Sequence, residues 1–230
     1  LDRYPYGCTE QVTSGAMPLL YLSSMAQAAG LGEPERIDDK ISKAIARIMT
    51  RQSSNGAFGL WRAESGEFWL DAYVTDFLSR AKAQGHAVPD LAFTLAMDNL
   101  RNRISYAPDF DKGGEDIAYA LLVLAREGAA NMGDLRYYAD TKMENFATPL
   151  AVAQLGAALA AYGDPVRADT MFRRAGVMLS VQSNARGWRA DFGTPLRDTA
   201  AVLKLSAEAG SAALDPVSLV SMMHQGHGRL

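Results

Sequence analysis

The one cysteine of the chain, Cys8, lies three residues before Gln11 in the string YPYGCTEQ (4–11). Residues three apart face one another across a helical turn, so a helix starting here lets the Cys8 thiol meet the Gln11 carboxamide. Attack of the thiol on that amide, with loss of ammonia, forms an internal thioester whose electrophile is the former Gln11 carbonyl carbon. The N-terminal end of a helix carries partial positive charge, which favours a thiolate there. The same field that helps the bond form makes the sulfur a better leaving group. Gly7 lets the backbone turn sharply and leaves room beside the sulfur. Spacing alone is a weak signal, because Cys-x-x-Gln arises by chance and a lone cysteine is most often a small buried hydrophobe.

The elements that position this pair are helices. Five apolar, small-residue stretches each end at a glycine: residues 9–30, 71–85, 116–128, 148–163 and 198–210. Each opens on Asp or Thr, read as an N-cap, and stops at the residue type most common just past a helix end. Partner stretches at 37–51, 91–103 and 164–179 are two-faced; Ile37, Ile41, Ile45 and Ile48 fall at helical spacing with Lys and Arg on the opposite face. One buried and one two-faced helix per unit is a helical-repeat pattern. It predicts an all-α chain, either an α/α toroid with inner and outer helices or a curved solenoid, and periodicity does not choose between them. Two loops echo one another, QSSNGAFGLW (52–61) and QSNARGW (182–188). Trp61 and Trp188 are read as structural plugs, and Phe68, Trp69 and Tyr73 as core.

Composition narrows the function classes. The 230 residues carry 23 basic and 26 acidic side chains, net charge −3, spread along the chain, which argues against a nucleic-acid footprint. One cysteine permits no internal disulfide, and with scattered histidines it supplies no zinc ligand set. Apolar runs are too short for a spanning helix. The chain begins at Leu1, and is expected to be one domain, 1–230, cut from a longer parent.

The full string at 4–11 is far more specific than its spacing. It resembles the thioester motif of the alpha-2-macroglobulin and complement superfamily, Gly-Cys-x-Glu-Gln, and Tyr4-Pro5-Tyr6 is similar to the bacterial branch. Resemblance continues through 52–61, Phe68-Trp69-Leu70, KGGED (112–116), TPLA (148–151) and DFGTPLRD (191–198). It implies the α/α toroid of the terpenoid-cyclase type, with the last inner helix missing here. It also implies a single-use protease trap rather than an enzyme, without cofactor or metal. A protease cuts a bait region elsewhere in the parent, and the exposed thioester acylates a lysine of the attacker. Carried over, Cys8 is the released thiol and Gln11 the acyl donor. Glu10 matches the motif, and Tyr4 and Tyr6 shield the bond. Partners implied are proteases, neighbouring domains of the parent and cell-wall synthesis enzymes; the implied setting is a periplasmic lipoprotein. Some complement relatives carry a downstream histidine that passes the acyl group to hydroxyls. The stretch 105–111 has no imidazole, and His86, His224 and His227 lie elsewhere, so direct aminolysis is expected.

Two other classes remain open at this level. An α/α-toroid enzyme, a terpene cyclase or glycosidase, would need clustered acids; Asp38-Asp39 and Asp109-Phe110-Asp111 offer two each. An interaction scaffold with an inactive thioester motif would differ only in whether the bond forms.

Overall fold

The computed structural model describes residues 7–29, 34–181, 189, 191 and 193–227. Every regular element among them is helical, apart from two isolated β-bridges, Gln52 with Phe58 and Gly113 with Phe146. Among the described residues no helix is long and apolar enough to cross a membrane. The chain divides into two compact units, Leu1–Ser105 and Tyr106–Leu230.

The first unit holds α1 (Thr9–Ala29), α2 (Pro34–Met49), α3 (Phe68–Ala83) and α4 (Asp90–Ser105). Three of the four isoleucines of α2 behave as their spacing predicts, and Ile37 at its start is half-buried. Ile41, Ile45 and Ile48 are buried against α1, while Lys43 faces water and pairs with Asp39. By contrast α3 buries ten of its sixteen residues, as a helix packed on several sides must. It lies against both α1 and α4. Phe77 and Leu78 are fully buried there, each worth about 2 kcal/mol on apolar area removed from water.

The second unit comprises α5 (Glu115–Arg126), α6 (Met132–Thr141), α7 (Pro149–Ala161), α8 (Pro165–Val181), α9 (Pro195–Glu208) and α10 (Pro216–His227). Its centre is α7, which packs against α5, α6, α8 and α9. Gly156 permits the α7–α8 approach: a Cβ there would stand 3.0 Å from Cβ of Met171. Helices α3, α5 and α7 are buried along most of their length, and α4 and α8 are the two-faced partners that follow α3 and α7; α9, read as buried too, buries five of its fourteen residues.

Four helix-ending glycines, Gly85, Gly128, Gly163 and Gly210, have positive φ as expected just past a helix end. The N-cap expectation holds for Thr148, whose hydroxyl accepts the N–H of Ala151. It fails for Thr9, which is the first helical residue of α1, and for the aspartates. Helix α3 begins three residues before Asp71, α5 begins at Glu115 after a left-handed Gly114, and α9 is capped by Thr194. Asp71 and Asp198 instead lie inside their first turns and are fully buried. A carboxylate survives there because donors converge on it, Phe58, Asn99 and Arg103 on Asp71 and Arg189 and Arg197 on Asp198, which the helix pattern does not encode. Helices α6 and α10 lie outside the two families read from the sequence. Each is short and starts on a polar side chain: Asn131 accepts from Gly133, and Asp215 accepts from Val217 and Ser218.

Trp61 is not a plug. It is 64% exposed at the outer end of its loop, where Phe58 takes the core position instead. Phe68, Trp69 and Tyr73 are half-buried rather than core, with Trp69 stacked on Tyr73 at 5.0 Å between centroids. Trp188 and its loop lie outside the described residues.

Candidate functional site around Cys8

Helix α1 starts one residue after Cys8, so Cys8 sits in the capping position and its carbonyl accepts the first helical bond from Val12 at 2.9 Å. Gln11, two residues into the helix, folds back. The backbone N–H of Cys8 donates to Oε1 of Gln11 at 3.1 Å, the reciprocal half of a capping box in which the third helical residue satisfies the cap N–H. The structure therefore brings the two partners read from the motif together at one helix start, with Cys8 half-buried and free, and Gln11 exposed. Glu10 turns along the helix, where its Oε1 accepts the Ser14 hydroxyl at 2.6 Å, and Ser14 is 3.0 Å from the Tyr73 hydroxyl. Tyr4 and Tyr6 lie outside the described residues.

What holds this helix start in place comes from the loop between α2 and α3. Thr9 donates its N–H to the Leu60 carbonyl at 2.8 Å and its hydroxyl to the Gly59 carbonyl. It is fully buried, so these bonds satisfy groups that water cannot reach. Arg51 fills the remaining space. Its Nη2 donates to the Gly7 carbonyl at 2.9 Å, and its Nη1 to Oγ1 of Thr9 at 3.2 Å and the Leu60 carbonyl at 3.3 Å. Only 7% of it is exposed. Burial, and behind it the charge of Arg47, pulls the Arg51 guanidinium below its ordinary value, while Cys8 acts in the opposite direction.

The loop is itself anchored from the far side. The Phe58 N–H donates to Oδ1 of Asp71 at 2.7 Å, and Oδ2 of Asp71 accepts from Asn99 at 2.9 Å, with Arg103 at 3.3 Å. Burial pushes the Asp71 carboxyl up, and these three partners oppose that shift. Gln52 ties the loop to α4 through the Ala92 carbonyl at 2.8 Å. A continuous run of hydrogen bonds thus leads from α4 through Asp71 and the loop to Thr9, Arg51 and Cys8.

Arg51 and Thr9 carry no signal in the motif. Arg51 reads from periodicity as a member of the polar face of the second helix; instead it follows the end of α2 and turns inward. The acidic pairs weighed for other chemistry are on the surface: Asp39 pairs with Lys43, and Asp109, 75% exposed, pairs with Lys142. His86 is half-buried after α3, His224 is exposed on α10, and the side chain of His227 lies outside the description.

Comparison with known proteins gives a consistent family. Residues 1–102 match the model of the A-macroglobulin TED domain. Alpha-2-macroglobulin of Escherichia coli K12 is 36% identical over 222 residues, 90% of this chain and 13% of that protein. Two solved structures superpose over 99% of this chain, each 33% identical to it. They are Salmonella alpha-2-macroglobulin reacted with methylamine (TM-score 0.82, 16% of that chain) and E. coli alpha-2-macroglobulin activated by porcine elastase (0.83, 21% of that chain). The chain thus spans a small part of the relatives it matches. The likeness settles the choice that periodicity leaves open, since the matched domain is an α/α toroid. Motif, fold and alignment agree along nearly the whole length, and the chain belongs to the thioester domains of the bacterial alpha-2-macroglobulin family.

Proposed function

We propose that this chain is the warhead of a protease-trapping inhibitor, in which a Cys8–Gln11 thioester acylates a lysine amine of the attacking protease. One observation carries the reading: the Gln11 carbonyl is drawn back onto Cys8 at the start of α1, with the oxygen on the Cys8 N–H. That contact holds the Gln11 carboxamide at the residue whose thiol would replace its nitrogen. Relatives solved after reaction with methylamine and after activation by elastase support an amine-sensitive, protease-responsive bond. The acceptor is an amine because no imidazole stands in 105–111 to relay the acyl group to hydroxyls. Glu10 then serves the helix start, as a first-turn carboxylate favoured by the dipole, and Tyr4 and Tyr6 cover the bond. By the same resemblance the complete protein works as a periplasmic lipoprotein beside cell-wall synthesis enzymes.

Intact mass of the complete protein tests this. The expected result is a mass one ammonia below the sequence, with Cys8 labelled by thiol reagents only after methylamine, and a covalent adduct between Gln11 and a protease lysine after cleavage. A protein of full sequence mass whose Cys8 is labelled from the outset is a scaffold with an inactive motif, and the reading is then wrong.

A further inference from the structure

We propose that the Gly7–Cys8 peptide unit is the oxyanion donor for the thioester, and that Arg51 is the positioning residue that polarises it. The inference rests on the thioester reading above and adds which groups take up the charge of the reaction.

Both ends of this one peptide plane are engaged. Its carbonyl, on Gly7, accepts Nη2 of Arg51 at 2.9 Å; its N–H, on Cys8, donates to Oε1 of Gln11 at 3.1 Å. An N–H can bond only the oxygen of a carboxamide, so the atom it holds is the one that remains as the acyl oxygen in the thioester. A hydrogen bond accepted at a peptide oxygen strengthens the donor at the nitrogen of the same unit. Arg51 supplies that bond from a buried guanidinium, and among the described residues no carboxylate pairs with it. Its charge is therefore turned on main-chain oxygens around Cys8 rather than neutralised by an acid. Thr9 and the Leu60 carbonyl fix the fork in that orientation. The helix dipole of α1 adds positive potential at the same place.

The reaction uses this charge in sequence. The amine lone pair forms an N–C bond at the Gln11 carbonyl carbon, and the carbonyl π pair moves onto Oε1, facing the Cys8 N–H. Collapse re-forms the carbonyl and breaks the C–S bond; that electron pair leaves with Cys8 Sγ. The proton lost by the attacking ammonium goes to solvent. Negative charge thus appears on Oε1 and then on Sγ, both beside the polarised peptide. Donors aimed at such an oxygen lower the barrier because they are in place before the charge develops.

The test uses the complete protein and the variants Arg51→Gln, which keeps donors without charge, and Arg51→Lys, which keeps charge with fewer donors. Methylamine minus untreated infrared difference spectra, with Gln labelled with carbon-13 at its side-chain carbonyl, isolate the thioester band. In the wild type that band is expected below the frequency of a simple alkyl thioester in an apolar solvent. In Arg51→Gln it rises, and methylamine cleavage slows roughly tenfold, less than loss of a whole oxyanion donor because the peptide N–H remains; Arg51→Lys recovers part of both. A merely structural arginine would leave the band where it is. A wild-type band at the free-thioester frequency overturns the proposal with no variant needed, and so does a folded Arg51→Gln with unchanged band and rate. If the wild type lacks the ammonia loss altogether, the thioester reading itself fails and takes this inference with it. An intact thioester with an unshifted band removes this inference alone.

Discussion

Oδ1 of Asp71 accepts the backbone N–H of Phe58 at 2.7 Å, which fixes the loop carrying Gly59 and Leu60 to the first turn of α3. Because Thr9 and Arg51 hang on those two carbonyls, Asp71 supports Cys8 from two contacts away. Asp71→Ala leaves the Phe58 N–H, Asn99 and the buried side of Arg103 without an acceptor. The expected loss is about 3 kcal/mol of unfolding free energy, in the range for breaking a buried charged network. Urea denaturation measures it, and intact mass of the same variant reads whether the proposed thioester forms without Asp71.

The pH dependence of stability has two opposed contributions. Asp71 is pushed up by burial, so its contribution is fully present below the unfolded value near pH 3.9 and is lost as pH rises through the higher folded value. Asp191 is also raised by burial, but Arg189 and Arg197 outweigh that and hold it below its ordinary value. Its contribution is present above about pH 3.9 and is lost as pH falls through the lower folded value. Urea midpoints of wild type, Asp71→Asn and Asp191→Asn from about pH 3 to 7 check both signs. The wild-type advantage over Asp71→Asn should shrink on going up from pH 3.9, and that over Asp191→Asn on going down from it.

Gly56 has φ of +88°, and a Cβ there would stand 2.0 Å from the Leu95 carbonyl oxygen. Neither strain is relieved by moving a side chain. Gly56→Ala should destabilise the protein by at least about 2 kcal/mol, visible as a lower denaturation midpoint. It should also loosen the loop that holds Thr9, raising amide exchange at Thr9 measured by hydrogen–deuterium exchange.

Trp61 invites the opposite expectation. At 64% exposure its removal leaves no cavity, so Trp61→Ala should change stability by no more than about 0.5 kcal/mol. A loss of several kcal/mol in thermal or urea unfolding would show that it packs as a plug after all.

What depends on local spacing is legible in the sequence. The three-residue step from Cys8 to Gln11 and the isoleucine period of α2 follow from helical rise and turn, so they survive unchanged in the structure. The helix-ending glycines are legible for the same reason, since positive φ is a property of one residue. The motif strings identified the family because many residues match at once. Tertiary structure alone decided the fate of residues whose partners are remote. Arg51 reaches Gly7 across 44 positions, and Asn99 reaches Asp71 across 28. An arginine at a helix end and an aspartate near a helix start look like a solvated face and a cap until those partners arrive. Trp61 reads as a plug from its loop alone, and the structure gives the core position to Phe58. Cys8 and Gln11 are therefore legible as neighbours at one helix start, whereas the buried guanidinium behind their peptide is found only once the fold encloses it.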